Sequence, residues 1–204
     1  NEIGGTTAKL GLAKEADGID YVGIPEADAS WRFNKFTKAQ YDAILAKVRA
    51  DLEVVQQPVG TGKGLTAGNK IALVTDVGTI DDESFNQAAW QGVKAYGDAN
   101  SIEYTYYQPS ANSKEARLTS IGKAVEEGAS VIVCPGFLFE DTIYDCQKLY
   151  PEVAFILLDG EPHNGDYNHV IKDNTACVLY QEQVSGYLAG YAAVQDGYRN
   201  LGFC

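Results

Sequence analysis

From residue 69 onward, short apolar runs alternate with stretches in which apolar residues recur every three or four positions. The runs predict strands at 70–75, 102–107, 130–134, 153–158, 168–171 and 200–203. The periodic stretches predict helices over 82–98, 113–127, 139–149 and 176–195. In the first of these, Phe85, Ala88, Ala89, Val93 and Tyr96 follow the helical period. Strands that are apolar almost throughout, such as "SVIVC" and "VAFILL", are the kind a parallel sheet buries on both faces. Their alternation with helices predicts an α/β fold with a doubly wound, mainly parallel sheet, flavodoxin-like in outline.

The first part of the chain reads differently. "TTAKLGLA" (6–13) and "GIDYVGI" (18–24) predict two strands joined by a short acidic turn at Asp17-Gly18. "FTKAQYDAILAKVRADL" (36–52) predicts a helix with Thr37 as N-cap and Tyr41, Ile44, Leu45 and Val48 on its buried face. Residues 56–69 are rich in glycine, carry a proline and have no apolar period, which is the composition of a linker. The organisation expected is thus residues 1–55, a linker at 56–69 and an α/β lobe at 70–204, together forming one compact domain.

Composition narrows the function classes. Lys+Arg 16 against Asp+Glu 28 gives a net charge of −12 over 204 residues, which argues against a nucleic-acid or anionic-membrane surface. No apolar run reaches the roughly 18–20 residues needed to cross a bilayer. There is no methionine and no signal peptide, so the chain reads as a processed or excised product. Cys134, Cys146, Cys177 and Cys204 match no CxxC or zinc spacing, and three of them sit in apolar runs, as buried free thiols do.

The chemistry gathers where predicted strands hand over to helices. In "KIALVTDVGTIDDESFNQAAW" (70–90), Asp76 follows an apolar strand, and Asp81 and Asp82 precede Phe85 and Asn86 at a helix start. Such junctions bind ligands in open α/β sheets, and helix N-termini there normally attract anions. Acids at this place disfavour phosphate and suit a neutral, hydroxyl-rich ligand. One of Asp81 and Asp82 is expected to cap the helix. Asp76 can accept hydrogen bonds from hydroxyls or a heterocycle, Phe85 can stack on a flat ring, and Asn86 adds a donor and an acceptor. Gly136 and Phe137 follow the strand "VIVC", and Asp159 follows "FILL", so three strand ends deliver these groups to one sheet edge.

Enzymatic signatures fail at particular positions. "GTGKG" lacks the first glycine of a phosphate-binding loop, with Gln57 in its place, and Lys63 is followed by Gly64 rather than a hydroxyl residue. The DxDxxxDD calcium cluster of nucleoside hydrolases is broken by Val74 and by a gap one residue too long before Asp81. No GxSxG elbow or HExxH occurs, and the phosphorylated acid and lysine of a receiver domain are not apparent. No cofactor, metal or catalytic residue is expected.

"IALVTDVGTIDDESFNQAAWQGVKAYG", "VIVCPGFLFEDTIYD", "FILLDGEPHN" and "EQVSGYLAGYAAV", in that order, resemble the basic membrane protein family. These are PnrA-like nucleoside-binding lipoproteins serving ABC transporters. The resemblance implies a type I periplasmic-binding-protein fold, an extracytoplasmic location on a lipid anchor, a permease partner, a purine nucleoside ligand and no catalysis. It implies ligand-binding roles for Asp76, Phe85 (stacked on the base), Asn86 and Asp159, with Gly136 and Phe137 lining the cleft. "GIDYVGIPEADASWRFNKFTKAQYDAILAKV" (18–48) resembles the family's C-terminal end but precedes its N-terminal strand, which is the order of a circular permutation limited to about one lobe. The exposed face of such a lobe offers a surface for a homodimer. The alternatives are a flavodoxin-like domain without retained binding and a calcium-dependent nucleoside hydrolase.

Overall fold

The computed structural model describes residues 6–10, 33–51 and 69–202. The strand expected at 18–24, nearly all of the 56–69 linker, and Cys204 lie outside the described residues. The elements run β1 (Thr6–Leu10), α1 (Lys38–Asp51), β2 (Lys70–Val74), α2 (Phe85–Asn100), β3 (Glu103–Tyr107), α3 (Lys114–Glu126), β4 (Val131–Pro135), α4 (Glu140–Leu149), β5 (Ala154–Leu158), β6 (Thr175–Tyr180) and α5 (Glu182–Asp196). A short 3₁₀ turn, Phe137–Phe139, leads into α4. The strands form one sheet in the order β1-β6-β5-β4-β2-β3, in which β2 to β6 pair parallel. The α/β, parallel-sheet architecture expected from the pattern is present.

The chain divides into two compact units, residues 1–8 with 58–179 and residues 9–57 with 180–204. In the first unit, alternate residues of each strand feed opposite faces of the sheet. Ala72, Val74, Ile132, Cys134, Phe155 and Leu157 pack with Ile121 and Ala124 of α3 and Ile143 and Cys146 of α4. Ile71, Leu73, Val131 and Val133 pack on the other face with Val93 of α2, flanked by Trp90, Ile156 and Leu158. Both faces of β2 and β4 are therefore covered, which is why these strands are apolar in sequence. Cys134, Cys146 and Cys177 are buried thiols, Cys134 and Cys177 as their apolar neighbours suggested. Burial pushes the Cys146 thiol up to about 12 and that of Cys134 well above the usual thiol range.

Buried polar contacts tie α3 to α4. The Arg117 guanidinium donates to Thr142 Oγ1 (3.1 Å) and Asn112 Oδ1 (3.0 Å) and lies 5.8 Å from the Phe139 ring centroid. In the second unit, Phe36, Tyr41 and Leu45 pack against Val184, Leu188 and Ala192, so α1 lies on α5. Thr37 caps α1 as expected: its Oγ1 accepts from Gln40 N–H (3.3 Å), while Gln40 Oε1 accepts from Thr37 N–H (2.8 Å), a reciprocal capping box. Asp196, at the end of α5, accepts from the backbone N–H groups of Lys35 and Phe36, and these bonds hold its carboxyl below the usual range.

Four stretches differ from the elements the sequence predicts. Residues 168–171 form no strand, because their backbone is satisfied by the loop itself: Val170 N–H donates to Pro162 O (2.8 Å) and its carbonyl accepts from Gln147 Nε2 (2.8 Å). The sixth strand is Thr175–Tyr180, so the helix expected from 176 begins at Glu182. Residues 200–202 are likewise not a strand. The helix expected from Asp82 begins at Phe85, because Glu83 adopts a left-handed φ of 52° that no helix accommodates. Its inward side carries Asn86, Val93 and Gly97, while Phe85 and Tyr96 face outward.

Phe155 is fully buried in β5, in the largest of the apolar clusters. Phe155→Ala is expected to destabilise the fold by about 3–5 kcal/mol, read as a lower urea midpoint at unchanged slope.

Candidate functional site

The sheet's winding reverses between β2 and β4. From β2 the chain crosses over α2 to the outer strand β3, and it then returns over α3 to β4 on the far side of β2. The loops leaving β2 and β4 therefore run to opposite faces, and a crevice opens at the carboxyl ends of these two strands. Asp76 stands two residues beyond β2, and Gly136 follows β4 directly.

Register aligns these groups. Leu73 pairs with Val133 and Pro135 with Leu158. Continued outward, the same register sets Asp76, Gly136 and Asp159 at one level on three adjacent strands. Strand spacing then separates Asp76 and Asp159 by roughly 10 Å across the sheet. The pairing does extend this far, since Gly136 N–H donates to Leu158 O and Asp159 N–H to Val178 O, each at 2.7 Å.

Asp76 is half-buried and tightly held. Its Oδ1 accepts from Gly78 N–H (2.6 Å) and from Asn86 Nδ2 (2.7 Å), leaving Oδ2 without a partner among the described residues. Asn86 is only 4% exposed, in the first turn of α2, so the sequence pair Asp76–Asn86 is a direct contact. Phe85 precedes it as the first residue of α2 and is 37% exposed. A Cβ at Gly78 would sit 2.6 Å from Asn86 Nδ2 and 2.8 Å from Asp76 Oδ1, so a side chain there displaces one of these two side-chain ends. Of the two acids before the helix, Asp82 does the capping: its Oδ1 accepts from Ser84 N–H (2.8 Å) and Gln87 N–H (3.1 Å). Burial pushes its carboxyl up, but the backbone donors of Gln87, Ser84 and Asn86 outweigh this and hold it below 3.8.

Across the crevice, Gly136 takes a φ of 105°, a conformation that glycine adopts without strain. Its carbonyl accepts from Phe139 N–H (3.1 Å) and starts the 3₁₀ turn, leaving the Phe137 ring 63% exposed. Asp159 takes a left-handed φ of 59°, an uncommon conformation for a residue with a side chain. The six residues expected at this site thus comprise two carboxylates, two aromatic rings, an amide and a glycine, none bearing positive charge. The structure brings Asp76 and Asn86 into contact and sets Gly136 and Asp159 level with them, with Phe85 and Phe137 on the adjoining turns.

Two contributors were not anticipated. Glu140, first residue of α4, accepts from Glu161 N–H (Oε1, 3.0 Å) and from His163 (Oε2, 3.0 Å), tying the loop after β5 to the turn after β4. Gly160 fits beneath it, where a Cβ would lie 2.9 Å from Glu140 Cγ. The only hint in the sequence was the confinement of both histidines to 163–169; the partner, 23 residues away, leaves no spacing signal.

Residues 69–195 match the family Bmp, described as ABC transporter substrate-binding protein, PnrA-like. The chain is 32% identical over 151 residues to the ABC transporter nucleoside-binding protein BmpA of Lactococcus lactis subsp. cremoris, which covers 71% of the chain and 40% of that protein. It is 28% identical over 137 residues to Basic membrane protein A of Borreliella burgdorferi, covering 66% of the chain and 38% of that protein. The chain therefore spans about two fifths of the length of these relatives. A solved ABC transporter solute-binding protein from Aeropyrum pernix K1 shares the fold, with a TM-score of 0.52 at 24% identity over 60% of this chain and 31% of that one.

Gly78→Ala is expected to force Asn86 away from Asp76 and to destabilise the fold by about 1–3 kcal/mol, seen in thermal unfolding and in a shift of the Asn86 side-chain amide resonances. The lowered carboxyl of Asp82 has a sign that can be checked. Its stabilising contribution is complete above 3.8 and is lost as pH falls through the lower folded-state value, because the unfolded chain takes up the proton first. Asp82→Asn should accordingly flatten the fall of unfolding free energy with acidification in that window, measured by urea titrations at stepped pH.

Proposed function

The chain belongs to the Bmp family of PnrA-like ABC transporter substrate-binding proteins, and from that premise we propose that it binds a purine nucleoside at the carboxyl edge of β2, β4 and β5. The observation that carries this reading is the single row of Asp76, Gly136 and Asp159 across the point where the winding reverses. A base lies against the Phe85 ring, where stacking contributes roughly 1–3 kcal/mol. Asp76, fixed through Oδ1 by Gly78 and Asn86, turns Oδ2 to ring or exocyclic N–H donors of the base. Asp159, about two strand spacings away, accepts from ribose hydroxyls. Gly136 lets the ligand approach the backbone, and Phe137 closes over it.

The same groups reject phosphorylated ligands, since carboxylates line the row. The nucleoside is captured and handed on unchanged. The name of the L. lactis relative, a nucleoside-binding protein, supports the ligand class. In this reading the chain acts outside the cytoplasm, lipid-anchored in its parent protein, and delivers ligand to a permease. The 18–48 segment then represents a circular permutation of the family order, and a second copy can cover the exposed face of the lobe.

Calorimetric titration with guanosine, inosine, adenosine, cytidine and guanosine monophosphate tests the reading. Purine nucleosides should release heat, with cytidine and the monophosphate binding more weakly. Asp76→Ala should weaken purine binding about tenfold or more, equivalent to about 1.4 kcal/mol. Silence across the panel from folded protein, or equal binding by the variant, would overturn it, and release of free base would point to hydrolysis instead.

A further inference from the structure

We propose that Asn164-Gly165, in the loop between β5 and β6, is a self-modification site at which the Gly165 backbone nitrogen, activated by His163 and Glu140, attacks the Asn164 side-chain amide. Gly165 N–H donates to His163 Nδ1 at 2.9 Å. A ring nitrogen that accepts carries no proton, so the hydrogen-bond network assigns the imidazole proton to Nε2. That nitrogen lies 3.0 Å from Glu140 Oε2 and donates to it. The imidazole is 7% exposed and packs against the Tyr167 ring, centroids 4.7 Å apart, so its orientation is set.

Nucleophile, imidazole base and orienting carboxylate thus stand in sequence, the arrangement that activates weak nucleophiles on unrelated folds. A fourth part is present. Asp166 N–H donates to Asn164 Oδ1 (3.2 Å), the atom on which negative charge gathers when Cγ is attacked. Asn164 and Gly165 are both exposed, and the space where a Gly165 side chain would stand is open, so water reaches the site.

The reaction balances with water as its only co-reactant. Gly165 N bonds to Asn164 Cγ and closes a succinimide ring, its proton passing to His163 Nδ1. That proton is delivered to the departing Nδ2, which leaves as ammonia when the Cγ–Nδ2 bond breaks. Water then opens the ring at either carbonyl. Attack at Cγ yields aspartate at position 164; attack at the backbone carbonyl yields an isoaspartyl linkage, with one extra carbon in the main chain. Either product places a new carboxylate beside His163, in the loop that follows Asp159.

Folded protein held in ¹⁸O-labelled water, mapped by peptide mass spectrometry and scored with an isoaspartyl methyltransferase, reads both products. The references are the same chain in urea and His163→Gln, which keeps an oxygen able to accept from Gly165 N–H but removes the base. General bases contribute roughly 10²–10⁴-fold, so folded wild-type protein should convert at least about tenfold faster than either reference. Conversion at the rate of the unfolded chain or slower, or an undiminished rate in folded His163→Gln, would overturn the proposal. Should that variant not fold, the comparison with the unfolded chain decides alone.

Discussion

A strand can join a parallel sheet only through a crossover connection, and from β2 to β5 each crossover here carries a helix. Much of the molecule's layout follows from that constraint. With α2 on one face and α3 and α4 on the other, both faces of β2 and β4 are sealed. The edge where the crossovers leave is then the place where polar groups from several strands can meet solvent together. Because β3 was laid outside β2 and β4 inside, the loops after β2 and β4 part company, and the opening between them needs no separate cavity-forming device.

What keeps the walls of that opening in place is a small number of hydrogen bonds made by charged or amide side chains. On one wall Asn86, almost wholly buried, anchors Asp76. On the other, Glu140 binds both the Glu161 amide and His163, while Gln147 holds the far end of the same loop through Val170 and Lys172. Such contacts add modestly to stability when made and are expensive to leave unmade once buried. They act as conditions on the geometry: a loop that moves strands a charge or an amide away from water, so the strand-end side chains stay where the backbone delivers them.

The parts of this architecture visible in the sequence are those set by local pattern. Ile71–Val74 and Val131–Cys134 read as buried strands because every residue in them is apolar, and Thr37 read as a cap because a hydroxyl residue stands just before the periodic run of α1. The strand Thr175–Tyr180 was missed because its apolar residues run straight into those of α5, and a short apolar run carries no period that separates strand from helix. Its identity comes from pairing with β5, a contact made at long range. The site divides in the same way. Asp76, Gly136 and Asp159 were legible as strand-end residues, but that they share one level required the register. The inward turn of Asn86 in place of Phe85 depended on where Glu83 breaks the helix, which no periodicity records.

The three buried thiols carry a further consequence. Cys134, Cys146 and Cys177 sit on three separate elements of one cluster, and no disulfide cross-links them. Native structure in this unit is therefore reached without an oxidant, and the bulk of its sulfur is withheld from reagents for as long as the sheet stays closed. The protein carries its own gauge of opening: the rate at which a thiol reagent labels these positions reports how often strand β4, strand β6 and helix α4 each part from their neighbours. Unequal rates would show which element lets go first, resolved to single residues and without an engineered cysteine.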